Sequence, residues 1–240
     1  QNRKFRWSYL ANKFDAIKLL FVAGFFLFIL GMAPVFSPEA SNCFLANILG
    51  YSDSMRSWSF VVGGIGGFLG LRYCRCFLSN PETGVDVDIK KIFKFTIIFG
   101  AIMGLNSIWN VYYYPAMLVF GLITAPVSYI MLVTSMRVAV RACPRGVEAT
   151  VFASMMSLSN LGGRVGGIIG SKIFDYFGQV ERLASGEIIY HTPHQGWVWM
   201  VTLACIGSLA PLLLIPMLSG FKQGSLGEEI DEVWKKYKEM

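Results

Sequence analysis

The residues best placed to do chemistry lie in one stretch, Pro144–Gly178 (PRGVEATVFASMMSLSNLGGRVGGIIGSKIFDYFG). It is long enough to cross a bilayer, and it carries Arg164 near its middle. A charge at bilayer depth is costly, faces a cavity or a partner, and marks a functional site. At about 100° per residue, Ser157, Asn160, Arg164, Ser171 and Asp175 fall within an arc of roughly 60°. Gly162, Gly163, Gly166 and Gly170 occupy a different, broader face. The polar stripe offers a guanidinium fork for a carboxylate, with Asn160 and Ser157 placed to hydrogen-bond the edge of a heterocycle. Arg164 could equally pair with an acid from elsewhere, as a fixed lock or as one that opens and closes. The residues alone leave both readings open. Lys172 and Asp175, three apart, read as a local pair rather than a relay.

A second polar face holds Thr124, Ser128, Met131 and Ser135, beside Pro126. These residues either line a cavity or bond their own helix backbone. Glu148 follows the Cys143-Pro-Arg-Gly turn, where it caps a helix start or forms a gate with Arg145 or Arg141. Cys74 and Cys76 are two thiols without the further ligands that zinc needs. His191 and His194 have no ligand cluster around them, so no metal and no cofactor are implied. The five cysteines are scattered and suggest no extracellular disulfide framework. There is no nucleotide loop, nucleophile elbow or HExxH, and nothing supports an enzyme.

Lipid is the solvent that positions these residues. The chain has 240 residues, 54% of them hydrophobic and 15% charged, against about 25% charged in soluble domains. The apolar runs predict six spans, at about 14–36, 54–78, 92–110, 115–141, 145–178 and 195–220. Together they make an all-α membrane domain over 14–221. Pro126 should kink the fourth span, and Pro211 and Pro216 lie within the sixth. The chain starts at Gln1 without a methionine, as a fragment or processed form would.

Charge gives the sidedness. Of 21 basic residues, 17 cluster at the N-terminus, between spans two and three, between spans four and five, and after span six. Arg56 and Arg182 alone lie opposite, while Arg164 and Lys172 sit within the fifth span. By the positive-inside rule both termini are cytoplasmic, stromal or matrix-facing. The net charge of +6 is thereby explained without a nucleic-acid partner. Residues 1–13 suit an anionic lipid surface. Residues 222–240 read as an amphipathic tail helix, with Ser225 and Glu228 forming a capping box.

Spans two and five echo each other. Val62–Ile65 and Val165–Ile168 both read VGGI, and small-xxx-small spacing recurs at Gly63/Gly67 and Gly66/Gly70, and at Gly162/Gly166/Gly170 and Gly163/Gly167. Such glycines let helix backbones approach closely. Correspondence of spans 1–3 with spans 4–6 gives the 3+3 inverted repeat of a transporter half.

Cys143–Thr150 (CPRGVEAT), Phe152-Ala153 and Met156–Gly163 (MSLSNLGG) resemble the folate–biopterin transporter family of the major facilitator superfamily. Leu49–Ser52 (LGYS), leading into the glycine-rich second span, is similar to the approach to that family's eighth helix. The likeness covers about residues 10–220, as the C-terminal six-helix half. It implies a rocking transporter of folates, pteridines or a similar anionic heterocycle. Spans one and four would line its cavity, and spans two and five would face a missing N-terminal half or another membrane subunit. Arg164 is not part of the family pattern. The alternative is a non-transporting six-helix scaffold within a larger complex, or a homodimer of halves.

Overall fold

A computed structural model describes Lys18 and residues 20–78, 88–143, 148–183 and 188–220. These residues are all-α apart from one small hairpin. α1 is Leu20–Met32. α2 (Pro38–Cys43) runs straight into a π-helical turn at Phe44–Ile48. The long helices are α3 (Asp53–Leu78), α4 (Ile89–Asn110), α5 (Tyr114–Ala142) and α6 (Glu148–Gly178). Strands β1 (Val180–Arg182) and β2 (Ile188–Tyr190) precede α7 (Pro193–Ser208), which continues as a 3-10 helix over Ala210–Gly220.

Among the described residues, three helices are long and apolar enough to cross a membrane: Ile89–Asn110, Tyr114–Val140 and Pro193–Leu218. α3 and α6, at 26 and 31 residues, span about 39 and 46 Å at 1.5 Å per residue. Their glycines, serines and charges make them less apolar.

The structure departs from the expected spans in three places. The first is not one helix over 14–36, because α1 stops at Met32 and the chain turns before α2. Pro34 has no N–H to continue the ladder, so the Val35 N–H donates to Ala33 O (2.9 Å) and the Phe36 N–H to Pro34 O (2.6 Å). Ser37 then caps α2, its Oγ accepting from the Ala40 N–H at 3.1 Å, with Pro38 in the first helical turn. The sixth span is α-helical only to Ser208, and the stretch holding Pro211 and Pro216 tightens to 3-10 geometry. Finally, the connection between α6 and α7 contains an antiparallel hairpin with Val180 opposite Tyr190 and Arg182 opposite Ile188. The basic segment 1–13, the tail 222–240, Arg145, and the side chains of Cys74, Cys76, Arg141 and Glu148 lie outside the described residues.

Among the described residues two larger apolar clusters pack the helices, one at each end, beside a small third one of Ile92 and Ile130. At the end bearing Lys90 and Lys91, α1 contributes Phe26, Leu27 and Leu30, which meet Phe93 and Ile97 of α4, Val138 of α5 and Met155 of α6. Phe26 meets Phe93 edge-on at 5.0 Å. At the hairpin end, Phe44 of the π turn stacks on Trp197 of α7 at 4.9 Å and 4°, with Phe174 and Met200 packed in. Outward, Phe60, Phe68, Trp109 and Leu213 are 70–82% exposed. Apolar surface on this scale faces either a partner or lipid.

Candidate functional site

The glycines of α6 divide by what they touch. Gly162, Gly166 and Gly170 are buried against α1 and the segment that follows it. A Cβ on Gly166 would lie 2.6 Å from Met32 O, and one on Gly162 or Gly170 would strike Phe28 O or Val35 O. At each contact the backbones approach more closely than any side chain would allow. Gly163 faces open space, and Gly167 has only loose contact, 3.9 Å from Phe36 O. One expectation is thereby corrected. The face formed by Gly162, Gly166 and Gly170 does not wait for a missing half, because α1 and the segment that follows it cover it.

Another side of α6 is bare. Ser157, Asn160 and Arg164 are exposed there, with Leu161 and Ile168 at 52% and 63%. Among the described residues, no hydrogen bond or ion pair reaches Arg164. Ser157 continues into an open concavity along the first half of α6, lined also by Thr150, Ala153, Ser154 and Leu158. The last two members of the five-residue stripe are drawn back into the chain. Ser171 Oγ lies 2.7 Å from the buried Ser37 Oγ, just past the break in α1. Asp175 stands close enough to Tyr190 to raise that residue's pKa. The stripe therefore offers three outward groups, Ser157, Asn160 and Arg164, within two helical turns.

On α5 the hydroxyls are used locally. Thr124 Oγ1 donates to Phe120 O (3.0 Å), Ser128 Oγ to Thr124 O (3.3 Å) and Ser135 Oγ to Met131 O (2.9 Å). Ser128 is exposed and Thr124 half-buried. Pro126 deprives Leu122 O of its helical donor, and Gly66 of α3 packs on that carbonyl, where a Cβ would sit 2.9 Å away. Tyr129 lays its ring over Gly67, and Gly70 packs on Pro126. Gly63 and Gly64 meet nothing.

The contacts also reveal a register between α3 and α6 that the VGGI word had obscured. Ser59, Gly63, Gly66, Gly67 and Gly70 recur at identical spacing as Ser159, Gly163, Gly166, Gly167 and Gly170, with Arg72 answered by Lys172. Burial follows the same register. Gly66, Gly67, Gly70 and their counterparts are buried, while Phe68, Leu69, Ile168 and Ile169 are exposed. The VGGI echo is three residues out of step with it. In the contact register, Gly64 stands where α6 carries Arg164.

At the hairpin end, polar contacts tie the loops down. Tyr190 Oη is 2.6 Å from Cys43 Sγ, which also accepts from Asn47 Nδ2 at 3.2 Å. Burial first, then the bond to Cys43, pushes the Tyr190 pKa up to about 12. The Tyr51 hydroxyl donates to Val111 O at 2.7 Å, and burial with nearby Tyr114 raises its pKa. Burial also raises the pKa of Tyr112, whose hydroxyl is 3.1 Å from His194 Nδ1. His191 Nε2 is 3.3 Å from Glu181 Oε2 across the hairpin. Among the described residues, no group of three or more His, Cys, Asp and Glu could hold a metal.

Comparison with known proteins adds one match. The family model described as the BT1 family covers residues 10–239. No curated protein and no solved structure matches the chain. With its apolar helices and exposed aromatic and aliphatic belt, the chain is an integral membrane protein that belongs to the BT1 family of folate–biopterin transporters.

Proposed function

We propose that this protein is a secondary carrier of a small anionic molecule of the folate or pteridine kind, working by alternating access. In this reading α1 with its break, α3, α4, α5, α6 and α7 are six spans arranged as a 3+3 inverted repeat. The lysine-bearing end is cytoplasmic, and the bare faces of α3 and α6 meet a second six-helix half. The paired glycine contacts support the repeat: α3 rests on α5 through Gly66 and Gly70 much as α6 rests on α1 through Gly166 and Gly170. An odd number of spans per unit inverts the second unit, as secondary transporters require. The family is one of transporters rather than enzymes.

The observation that carries the anion preference is Arg164, mid-helix on a bare face and unpartnered among the described residues. A guanidinium stays protonated and presents a fork that matches a carboxylate. Asn160 and Ser157, one and two turns earlier, supply donors and acceptors for a heterocycle edge. The anion would be the substrate's carboxylate or an acidic side chain of the other half, and kinetics separates the two. A lost charge-assisted hydrogen bond costs about 1.5–3 kcal/mol, which is roughly 10- to 150-fold at 1.4 kcal/mol per decade. Arg164→Ala should raise the KM for uptake by that factor if it binds substrate. It should lower the maximal rate at unchanged KM if it pairs with an acid. Wild-type uptake kinetics in a variant present at normal level would sink both roles.

A further inference from the structure

The outward face of α4 is ordered from end to end. Lys91, Lys94, Phe95, Ile98, Ile102 and Trp109 are all exposed, and at 100° per residue they fall within an arc of about 100°. The opposite side, with Ile89, Phe93 and Ile97, is buried in the cluster that α1 enters. Trp109 stands 18 residues beyond Lys91, five full turns, so the two lie on one line about 27 Å apart along the axis. The hydrocarbon core of a bilayer is about 30 Å thick. The stripe therefore fits one bilayer, with its ammonium groups at one surface and its indole at the other, where each is favoured.

The residues between those ends suit lipid rather than another helix. The bare faces of α3 and α6 carry Gly63, Gly64 and Gly163, where a Cβ would meet nothing and a foreign backbone could come close. The stripe on α4 presents only bulky side chains, which fluid acyl chains cover better than a rigid helix does.

The two lysines stand against the grain of their helix. They occupy the first two turns of α4, at the positive end of its macrodipole, where cations are disfavoured. Three apart, their Cβ atoms are about 5–6 Å from each other. The carboxylate of Asp88 serves the helix start, its Oδ1 accepting from the Lys90 N–H at 3.0 Å. Among the described residues, no ion pair reaches Lys91 or Lys94. Two cations and a helix's positive end thus meet at headgroup level without a paired anion.

We propose that Lys91 and Lys94 hold the headgroup phosphate of an anionic phospholipid whose acyl chains lie along Phe95, Ile98 and Ile102. Lys91 to Ile102 covers about 16 Å, the depth of one leaflet. Lys94, a turn deeper, reaches the same phosphate by extending its stem towards the surface. A zwitterionic phospholipid offers the same phosphate but brings an ammonium that the lysines repel, so the site selects by net charge. The inference needs only that the chain is embedded in a membrane, and it holds whatever the protein carries.

The test titrates the full-length protein in detergent with palmitoyl-oleoyl phosphatidylglycerol and, separately, with the matching phosphatidylcholine. Native mass spectrometry reads the affinity of the first lipid bound. Wild-type protein should take the anionic lipid about 25-fold more tightly, about fivefold for each lysine. Lys91→Gln and Lys94→Gln should each weaken binding of the anionic lipid about fivefold and leave the zwitterionic one unchanged. Lys90→Gln removes the same charge from the adjacent residue, which is half-buried on the flank of the packed face, and should keep the preference intact. Equal affinity of wild type for both lipids would overturn the site. A loss in Lys90→Gln as large as in Lys91→Gln would overturn it too, by showing diffuse attraction to the basic end. Dimers abolished by Ile98→Ser would place a second copy on the stripe and displace the lipid from the account.

Discussion

Gly163→Ala and Gly166→Ala differ by three positions on one helix and should move stability in opposite directions. At Gly163 a new methyl meets nothing within 4 Å, so the variant gains only the helix preference of alanine over glycine, up to about 1 kcal/mol. At Gly166 the same methyl would sit 2.6 Å from Met32 O and 3.2 Å from Met32 C. Both are backbone atoms, and they cannot swing aside as a side chain would. Relief requires α6 to lift from α1, an overpacking cost of about 1–3 kcal/mol. The propensity gain is common to both variants, so their difference isolates the clash. For a chain of this size 1 kcal/mol corresponds to roughly 2–4 °C. Thermal unfolding in matched detergent, followed by intrinsic tryptophan fluorescence, should therefore separate the two melting points by about 2–12 °C, with Gly166→Ala the lower. Equal melting points would show that α6 does not rest on α1 through this face. The assignment of Gly162, Gly166 and Gly170 to contact within the chain would then fail.

Other expectations follow from particular contacts. Ser171→Ala removes one partner of the Ser37–Ser171 bond, at about 1 kcal/mol, and Ser37→Ala removes that bond together with the cap of α2, at about 2 kcal/mol. The double variant should lose clearly less than the sum, and strict additivity in the same unfolding assay would deny the bond. Tyr190 has its pKa raised from 10.0 to about 12, so the folded state favours the neutral phenol. Its contribution to stability is fully present below pH 10 and is lost as pH rises from 10 to about 12. Tyr190→Phe should remove that decline and one phenolate signal near pH 12 in the ultraviolet titration. A Tyr190 signal appearing at pH 10 would contradict the burial and the Cys43 bond.

The sequence makes the helical, lipid-embedded character plain, because runs this apolar and this poor in charge have no other good solvent. It also makes the outward placement of Arg164 legible, since helical spacing alone separates that residue from the packing glycines. What covers those glycines is a different matter. Small-residue spacing says that a backbone comes close, but not whose, and α1 proves to be the partner of Gly166. The break in α1 was hidden for a similar reason. Pro34 and Pro126 sit in matching Ala-Pro-Val words, yet α5 continues as helix past Pro126 while α1 stops before Pro34, with Ser37 bonded to Ser171, 134 residues away. The β1–β2 hairpin has strands of only three residues, too short for an alternating pattern to show. The full α3–α6 correspondence was written over fourteen residues, Ser59–Arg72 against Ser159–Lys172, which a four-letter word had shifted out of step.

The most direct test of the carrier reading is uptake of tritiated folate by the purified full-length protein in proteoliposomes, compared with Arg164→Ala and Arg164→Lys at equal incorporation. Wild-type protein should accumulate label above protein-free liposomes. Arg164→Ala should lose about tenfold or more of the catalytic efficiency, and Arg164→Lys should recover part of it, since lysine keeps the charge but not the fork. Wild-type vesicles that take up no more label than empty ones, or an alanine variant as active as wild type, would contradict the account.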